Sequence, residues 1–316
     1  MSVRSVAGKA GVVLGGLVLA LAAISLVQYV RADQEKLALD EAVRRSGPGS
    51  FVRLPAGVTH YELAGPRGAD TVLLIPGFSV TYTVWDPTFD ALVGAGFRVL
   101  RYDLFGRGYS DRPDAAYDAA FYDRQILDLL DALDIRNPVN VAGLSMGGPI
   151  ATAFAVNHPE RVRRVVLEAP AYSTGYPPPL ELRAPLLGQY LMTVRVAPGL
   201  PESQWADFVH PERFPRYLDP YRKQMRYRGF RRALLATMRN YLSQDMTEYY
   251  RRLGHSGKPV LLIWGRADQD VPFETSGKVR QSVPQAEFLP VDDAAHIPAY
   301  EHPEVVNPVL IRFLQK

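Results

Sequence analysis

The sequence predicts an α/β protein: a doubly wound, mostly parallel sheet, interrupted by an inserted helical cap and preceded by an N-terminal transmembrane helix. Three observations predict it. From Phe51 onward, short apolar runs bounded by glycine and proline alternate with stretches of helical spacing. That is the pattern of βαβ units whose strands are buried on both faces. The alternation stops near residue 171 and resumes near residue 255. Finally, Ala10 to Val30 is an almost unbroken apolar run, about as long as a helix must be to cross a bilayer.

The apolar run comes first in the chain. Residues 1–32 read as a retained membrane anchor or as a cleaved signal peptide with Ala20-Leu21-Ala22 as the small-residue site. Apolar residues continue past that site to Val30, which favours the anchor. Arg4 and Lys9 on one side and Arg31 and Lys36 on the other leave orientation weakly specified. The expectation is a membrane-anchored protein with its globular part outside the cytoplasm; the alternative is secretion after cleavage. Residues 33–50 read as a linker, a short juxtamembrane helix that breaks at Gly47-Pro48-Gly49.

The first part of the core is expected over residues 51–170. Phe51 to Leu63 reads as two short strands, and Thr71 to Ile75 as a strand buried on both faces. A helix over Val84 to Gly94 precedes a strand at Phe97 to Tyr102. Phe121 to Leu133 has helical spacing, Val139 to Ala142 is a strand, Pro149 to Asn157 a helix and Val162 to Leu167 a strand. Residues 171–254 carry no strong strand signal. They hold amphipathic helical stretches such as Glu181 to Val194 and Arg231 to Leu242, and read as a helical cap. Residues 255–316 complete the core with strands at Val260 to Trp264 and Ala286 to Pro290 and a closing helix at Pro303 to Leu314.

Composition narrows the chemistry. The 316 residues are 47% hydrophobic and 22% charged, with a formal net charge of +3, so neither disorder nor nucleic-acid binding is expected. The chain has no cysteine, which excludes disulfides, thiolate nucleophiles and cysteine-ligated zinc.

Gly143-Leu144-Ser145-Met146-Gly147 is a G-x-S-x-G motif between a strand and a helix. Such a sharp turn needs small residues at Gly143 and Gly147, because side chains there would meet neighbouring backbone. It lifts the hydroxyl of Ser145 above the sheet and presents the N–H of Met146 to a forming oxyanion. A serine hydroxyl also needs a base. Of the six histidines, His296 lies in Asp292-Asp293-Ala294-Ala295-His296-Ile297-Pro298, after the last strand, where it can reach over the sheet edge to Ser145. His60, His158, His210 and His255 lie in other settings, and His302 beside Pro303 reads as a helix-start residue. An acid to orient the base belongs at a strand end between the serine and the histidine. Asp268 is the choice. Asp270 is read as a helix cap or loop brace, and Glu168 is an outside candidate for the acid.

These motifs together resemble the α/β-hydrolase superfamily, in particular its capped esterase, lipase and C–C hydrolase-like members, over residues 51–316. The resemblance matches Gly265, Asp268 and Pro272 to the acid loop, and His296, Glu301 and Pro303 to the histidine loop. It also matches Asp103 to Asp111 (DLFGRGYSD) to a structural loop taken to shape the pocket floor. Relatives usually carry His-Gly where this chain has Pro76-Gly77-Phe78. The second oxyanion donor is a backbone N–H, so Phe78 can still supply it beside Met146. A serine, where relatives that act on haloalkanes or epoxides use aspartate, argues against those two activities.

The resemblance implies hydrolysis of a small-molecule carboxylic ester, including a lipid ester, through an acyl-serine with no metal and no cofactor. The same triad serves C–C bond or enol-lactone hydrolysis, and a non-catalytic binding protein is the contrasting alternative. Tyr172, Tyr176, Leu187 and Tyr190 are candidates to line the pocket. Arg213, Arg216, Arg222, Lys223, Arg226, Arg228, Arg231 and Arg232 face only Glu212 and Asp219 in sequence, and read as a solvated face before a headgroup-binding patch.

Overall fold

The computed structural model describes residues 3–172 and 177–316, with side chains from residue 13 onward. Eight strands form one sheet: β1 Ser50–Leu54, β2 Gly57–Ala64, β3 Thr71–Ile75, β4 Arg98–Tyr102, β5 Val139–Leu144, β6 Val162–Glu168, β7 Val260–Gly265 and β8 Glu287–Val291. Their order is β1-β2-β4-β3-β5-β6-β7-β8. β2 runs antiparallel to β1 and β4, and every pairing from β4 to β8 is parallel.

The period of two in β3 shows why this sheet is covered twice. Leu73 and Ile75 join one apolar layer and Val72 and Leu74 the other. The first layer is closed by Ile126 and Leu129 of helix Ala119–Ala132, and by Ile150 and Phe154 of helix Gly147–Asn157. Phe89 and Leu92 of helix Asp86–Gly94 close the second, with Leu310 and Phe313 of helix Pro303–Gln315.

The residues between β6 and β7 form a series of short helices, as expected, but the stretch Glu181 to Val194 is not one helix. It breaks at Pro185 into Leu180–Arg183, Pro185–Leu191 and a π-helical turn, Met192–Val196. Proline lacks an N–H and pushes the residue before it out of the helical region; Ala184 accordingly sits at φ −64°, ψ 129°. Helices Thr247–His255 and Thr275–Ser282 carry no signal that the sequence reading used.

The linker carries the expected short helix, Glu41–Arg45, which ends at Ser46 before Gly47-Pro48-Gly49; the residues before it are strapped to the inserted segment. The Glu35 carboxylate accepts from the backbone N–H of Gly229 at 2.7 Å and of Arg231 at 2.6 Å. Leu37 bridges Tyr227, and Asp33 pairs with Arg231 at 2.5 Å. Ahead of the strap runs helix Val3–Ala32, whose described part, Val13–Ala32, is exposed and has a mean hydropathy of 2.2. Tyr190 donates its hydroxyl to Gln28 of this helix at 2.6 Å. Half of the basic run is ion-paired: Arg216 with Asp219, Arg222 with Glu202, Arg231 with Asp33 and Glu35, and Arg232 with Asp114.

Candidate active site

β5 runs two residues further than its apolar pattern suggests and ends at Leu144, directly before Ser145. Ser145 sits at φ 52°, a left-handed conformation that a non-glycine residue adopts only under constraint. The constraint is visible: the N–H of Ser145 donates to the Glu168 carbonyl at 2.9 Å, and the Ser145 carbonyl accepts from Gly148 and Ala171. A Cβ on Gly147 would lie 2.4 Å from the Ile75 carbonyl oxygen, and one on Gly143 2.1 Å from that of Gly147. The two glycines are therefore required by close backbone approach, as the motif implies.

His296 and Asp268 meet as a buried pair, with Nδ1 of the histidine 2.9 Å from Oδ2 of the aspartate. The other aspartate oxygen accepts from the N–H groups of Asp270 and Val271 at 3.0 and 2.9 Å. These bonds fix the carboxylate and leave Nε2 of His296 toward a cavity of about 210 Å³ that Ser145 also lines. Burial disfavours the imidazolium, but the hydrogen bond and charge of Asp268, with the charges of Asp207 and Asp270, outweigh it. His296 is held up at about 9.

Phe78 and Leu144 line the same cavity, and Met146 follows Ser145 at the start of its helix. Among the described residues, neither the Phe78 nor the Met146 N–H has a protein acceptor. The loop that carries Phe78 is braced by Arg107. Its guanidinium is wholly buried, and its Nε donates to the Phe78 carbonyl at 2.8 Å. Its other nitrogens reach the Phe105 carbonyl and the hydroxyls of Tyr122 and Thr237. Arg107→Met should lower kcat by about 10–100-fold with little change in KM, because a slack Phe78 loop loses oxyanion contacts made only in the transition state. Steady-state kinetics beside a thermal melt check this.

Several candidates lie elsewhere. Glu168 is buried and accepts from the Ala299 N–H at 2.7 Å rather than facing His296 Nδ1; burial pushes its carboxyl up to about 7. Asp270 caps no helix, since the next one begins at Thr275; it lines the cavity instead. His302 starts the last helix, bonded to Glu304 and the Asp293 carbonyl. His60 forms a second buried pair with Asp103 at 2.7 Å, stacked between Phe51 and Tyr82.

The Asp103–Asp111 loop does not floor the Ser145 cavity. Asp103 instead binds the N–H groups of Tyr82 and Tyr109, and with Tyr109 lines a neighbouring cavity of about 260 Å³. Tyr172 bonds Ser282, Leu187 is exposed, Tyr190 bonds Gln28, and none of the three lines the Ser145 cavity. Tyr176 lies outside the described residues.

The inserted segment reaches the cavity through Leu200, Ser203, Gln204 and Asp207, which sequence reasoning missed. No local signal marks them. They are brought over by a tertiary clasp in which buried Glu301 accepts from the N–H groups of Val209, His210 and Ala295.

The family model for the alpha/beta hydrolase fold matches residues 70–303. The chain belongs to the α/β-hydrolase family of enzymes. Among curated proteins it is similar to the 2-hydroxy-6-oxononadienedioate/2-hydroxy-6-oxononatrienedioate hydrolase of Cupriavidus pinatubonensis, at 29% identity over 87% of this chain and 98% of the relative. The Paraburkholderia xenovorans protein of the same name is 29% identical over 86% of this chain and 97% of the relative. Among solved structures, the enol-lactonase from Burkholderia xenovorans superposes with a TM-score of 0.72 at 24% identity, covering 84% of this chain and all of that one.

Proposed function

We propose that this chain is a serine hydrolase that cleaves the carbon–carbon bond beside a ketone, or opens an enol lactone, through an acyl-serine intermediate. One observation carries the reading: Ser145 on its constrained turn and the His296–Asp268 pair open on one cavity. The named activity of the curated relatives, matched over nearly their whole length, supports the bond type.

Ser145 Oγ adds to the carbonyl carbon while His296 Nε2 takes its proton, and the N–H groups of Phe78 and Met146 hold the oxyanion. Asp268 stabilises the imidazolium. The adduct collapses and expels the carbon or enol-oxygen leaving group, which takes the proton from His296. Water, deprotonated by His296, then attacks the acyl carbonyl; the acid leaves and Ser145 recovers its proton. The residues between β6 and β7 act as the cap, meeting substrate through Leu200, Ser203, Gln204 and Asp207.

Carboxylic ester hydrolysis, lipid esters included, is the second reading, and the cavity lining favours it. The relatives' names describe a dicarboxylate, yet no arginine or lysine is among the described residues lining this cavity. The deciding experiment incubates the purified full chain with a 2-hydroxy-6-oxo-dienoate, an enol lactone and p-nitrophenyl esters of graded length. Turnover of the first two above the esters supports the leading reading, and turnover of esters alone replaces it with the second. Folded protein that resists fluorophosphonate would bring the non-catalytic reading forward.

We also propose that helix Val3–Ala32 anchors the chain in a membrane with its catalytic part outside the cytoplasm. Its length and the exposed apolar surface of Val13–Ala32 support the anchoring. Solubilisation by alkaline carbonate would show instead that the helix is cleaved or peripheral.

A further inference from the structure

We propose that Asp207 and Asp270 form an acidic clamp on one wall of the Ser145 cavity, which accepts substrates whose group near the scissile carbonyl is uncharged or cationic and turns carboxylates away. The proposal rests on Ser145 being the nucleophile; under the carbon–carbon reading it limits substrates to those whose carboxylate lies away from the scissile carbonyl.

Both carboxyl groups line the cavity next to each other, Asp207 buried and Asp270 exposed. Asp207 ends the short turn Gln204–Asp207 of the inserted segment and is 4% exposed. Its backbone carbonyl accepts from the N–H of His296 at 3.0 Å, and the Glu301 clasp holds the residues after it. Asp270 comes from the loop after β7, and its N–H is fixed by the same Asp268 carboxylate that binds His296. Its position is therefore set by the catalytic loop itself.

The groups facing Asp207 are His296, Asp268 and Asp270, together with the Tyr217 hydroxyl 3.5 Å from Oδ2. Burial raises the Asp207 carboxyl most; His296 pulls it down, the charge and hydrogen bond of Asp270 raise it again, and it stands at about 8. At neutral pH Asp207 therefore carries a proton, and the Asp270 carboxylate lies beside it on the cavity wall. Ser203 and Gln204 beside it are neutral, and among the described residues the only cationic group lining the cavity is His296, already bound to Asp268. A carboxylate entering here would lose its water beside a negative charge with no free cation to meet it. A hydroxyl or an ammonium would instead find acceptor oxygens.

The test needs only a reactive serine and assumes nothing about the bond cleaved. Three matched boronic acids, bearing butyl, 3-aminopropyl or 3-carboxypropyl groups, compete with a fluorophosphonate probe for the full chain in detergent. At pH 7 the neutral and ammonium members should protect at concentrations at least tenfold below the carboxylate. Asp270→Asn should shrink that gap to threefold or less. As pH rises through about 8, Asp207 ionises, and the wild-type gap should widen; in Asp207→Asn it should stay flat. Equal protection by the carboxylate, or a gap unchanged in both variants, overturns the clamp. A folded wild type that takes no probe overturns the Ser145 reading on which the clamp stands, and is told apart by that missing label.

Discussion

Ser145→Ala should abolish fluorophosphonate labelling and lower turnover by at least ~10⁴-fold, the scale on which serine hydrolases respond to loss of the nucleophile. His296→Ala should do nearly the same, and combining the two should cost little more. The reason is geometric. The hydroxyl stands on a turn held at φ 52° by contacts from Gly148, Glu168 and Ala171, so no neighbouring group can take its place. Alanine at 145 keeps the backbone and the Cβ, so the melting temperature should move little. A variant that retains label would show that the probe reacts elsewhere, and would remove Ser145 from the mechanism.

Asp268→Asn should cost about as much, ~10⁴-fold in kcat, by presenting the wrong tautomer of His296. It should also move the pH profile. In the wild type the base is usable only when neutral, and its proton is held up to about 9, so kcat/KM should climb with pH toward that value. Without the Asp268 charge and hydrogen bond, burial dominates and the ascending limb should shift to lower pH. Stability follows the same linkage with its sign fixed. A histidine raised from its ordinary 6.5 stabilises the fold fully below pH 6.5, and that contribution is lost as pH rises through about 9. Melts across pH 6 to 10 should lose this component in the Asn variant. An unmoved rate profile would mean that another group titrates.

The sheet was readable because central strands such as β3 and β7 are nearly unbroken apolar runs, and because Pro76-Gly77 follows β3 and the G-x-S-x-G turn closes β5. Ser145, His296 and Asp268 were readable because each sits at a strand end with a local signature. The short helices were less so: Pro185 divides what periodicity alone reads as one amphipathic stretch. What could not be read was everything that depends on distant residues meeting. Arg107 reaches Phe78 across 29 positions, and Glu301 draws Val209 and His210 to the histidine loop across about 90. Neither pairing leaves a trace in local spacing. Residues of the inserted segment such as Asp207 therefore stayed invisible, while Tyr172 and Tyr190, conspicuous by composition, turned out to bond elsewhere.

The Glu301 clasp bears on how substrate gets in. One carboxylate grips Ala295, next to His296, together with Val209 and His210 of the insertion, and the His296 N–H is itself tied to Asp207. That corner of the roof and the base are riveted into one piece. Prising the corner open would pull His296 off its station over the serine. Leu200, Ser203 and Val80 line the same cavity outside the clasp, so an opening there would leave His296 undisturbed. Such a door would have its lock mounted on the fixed jamb, aligned before substrate arrives and undisturbed when product leaves.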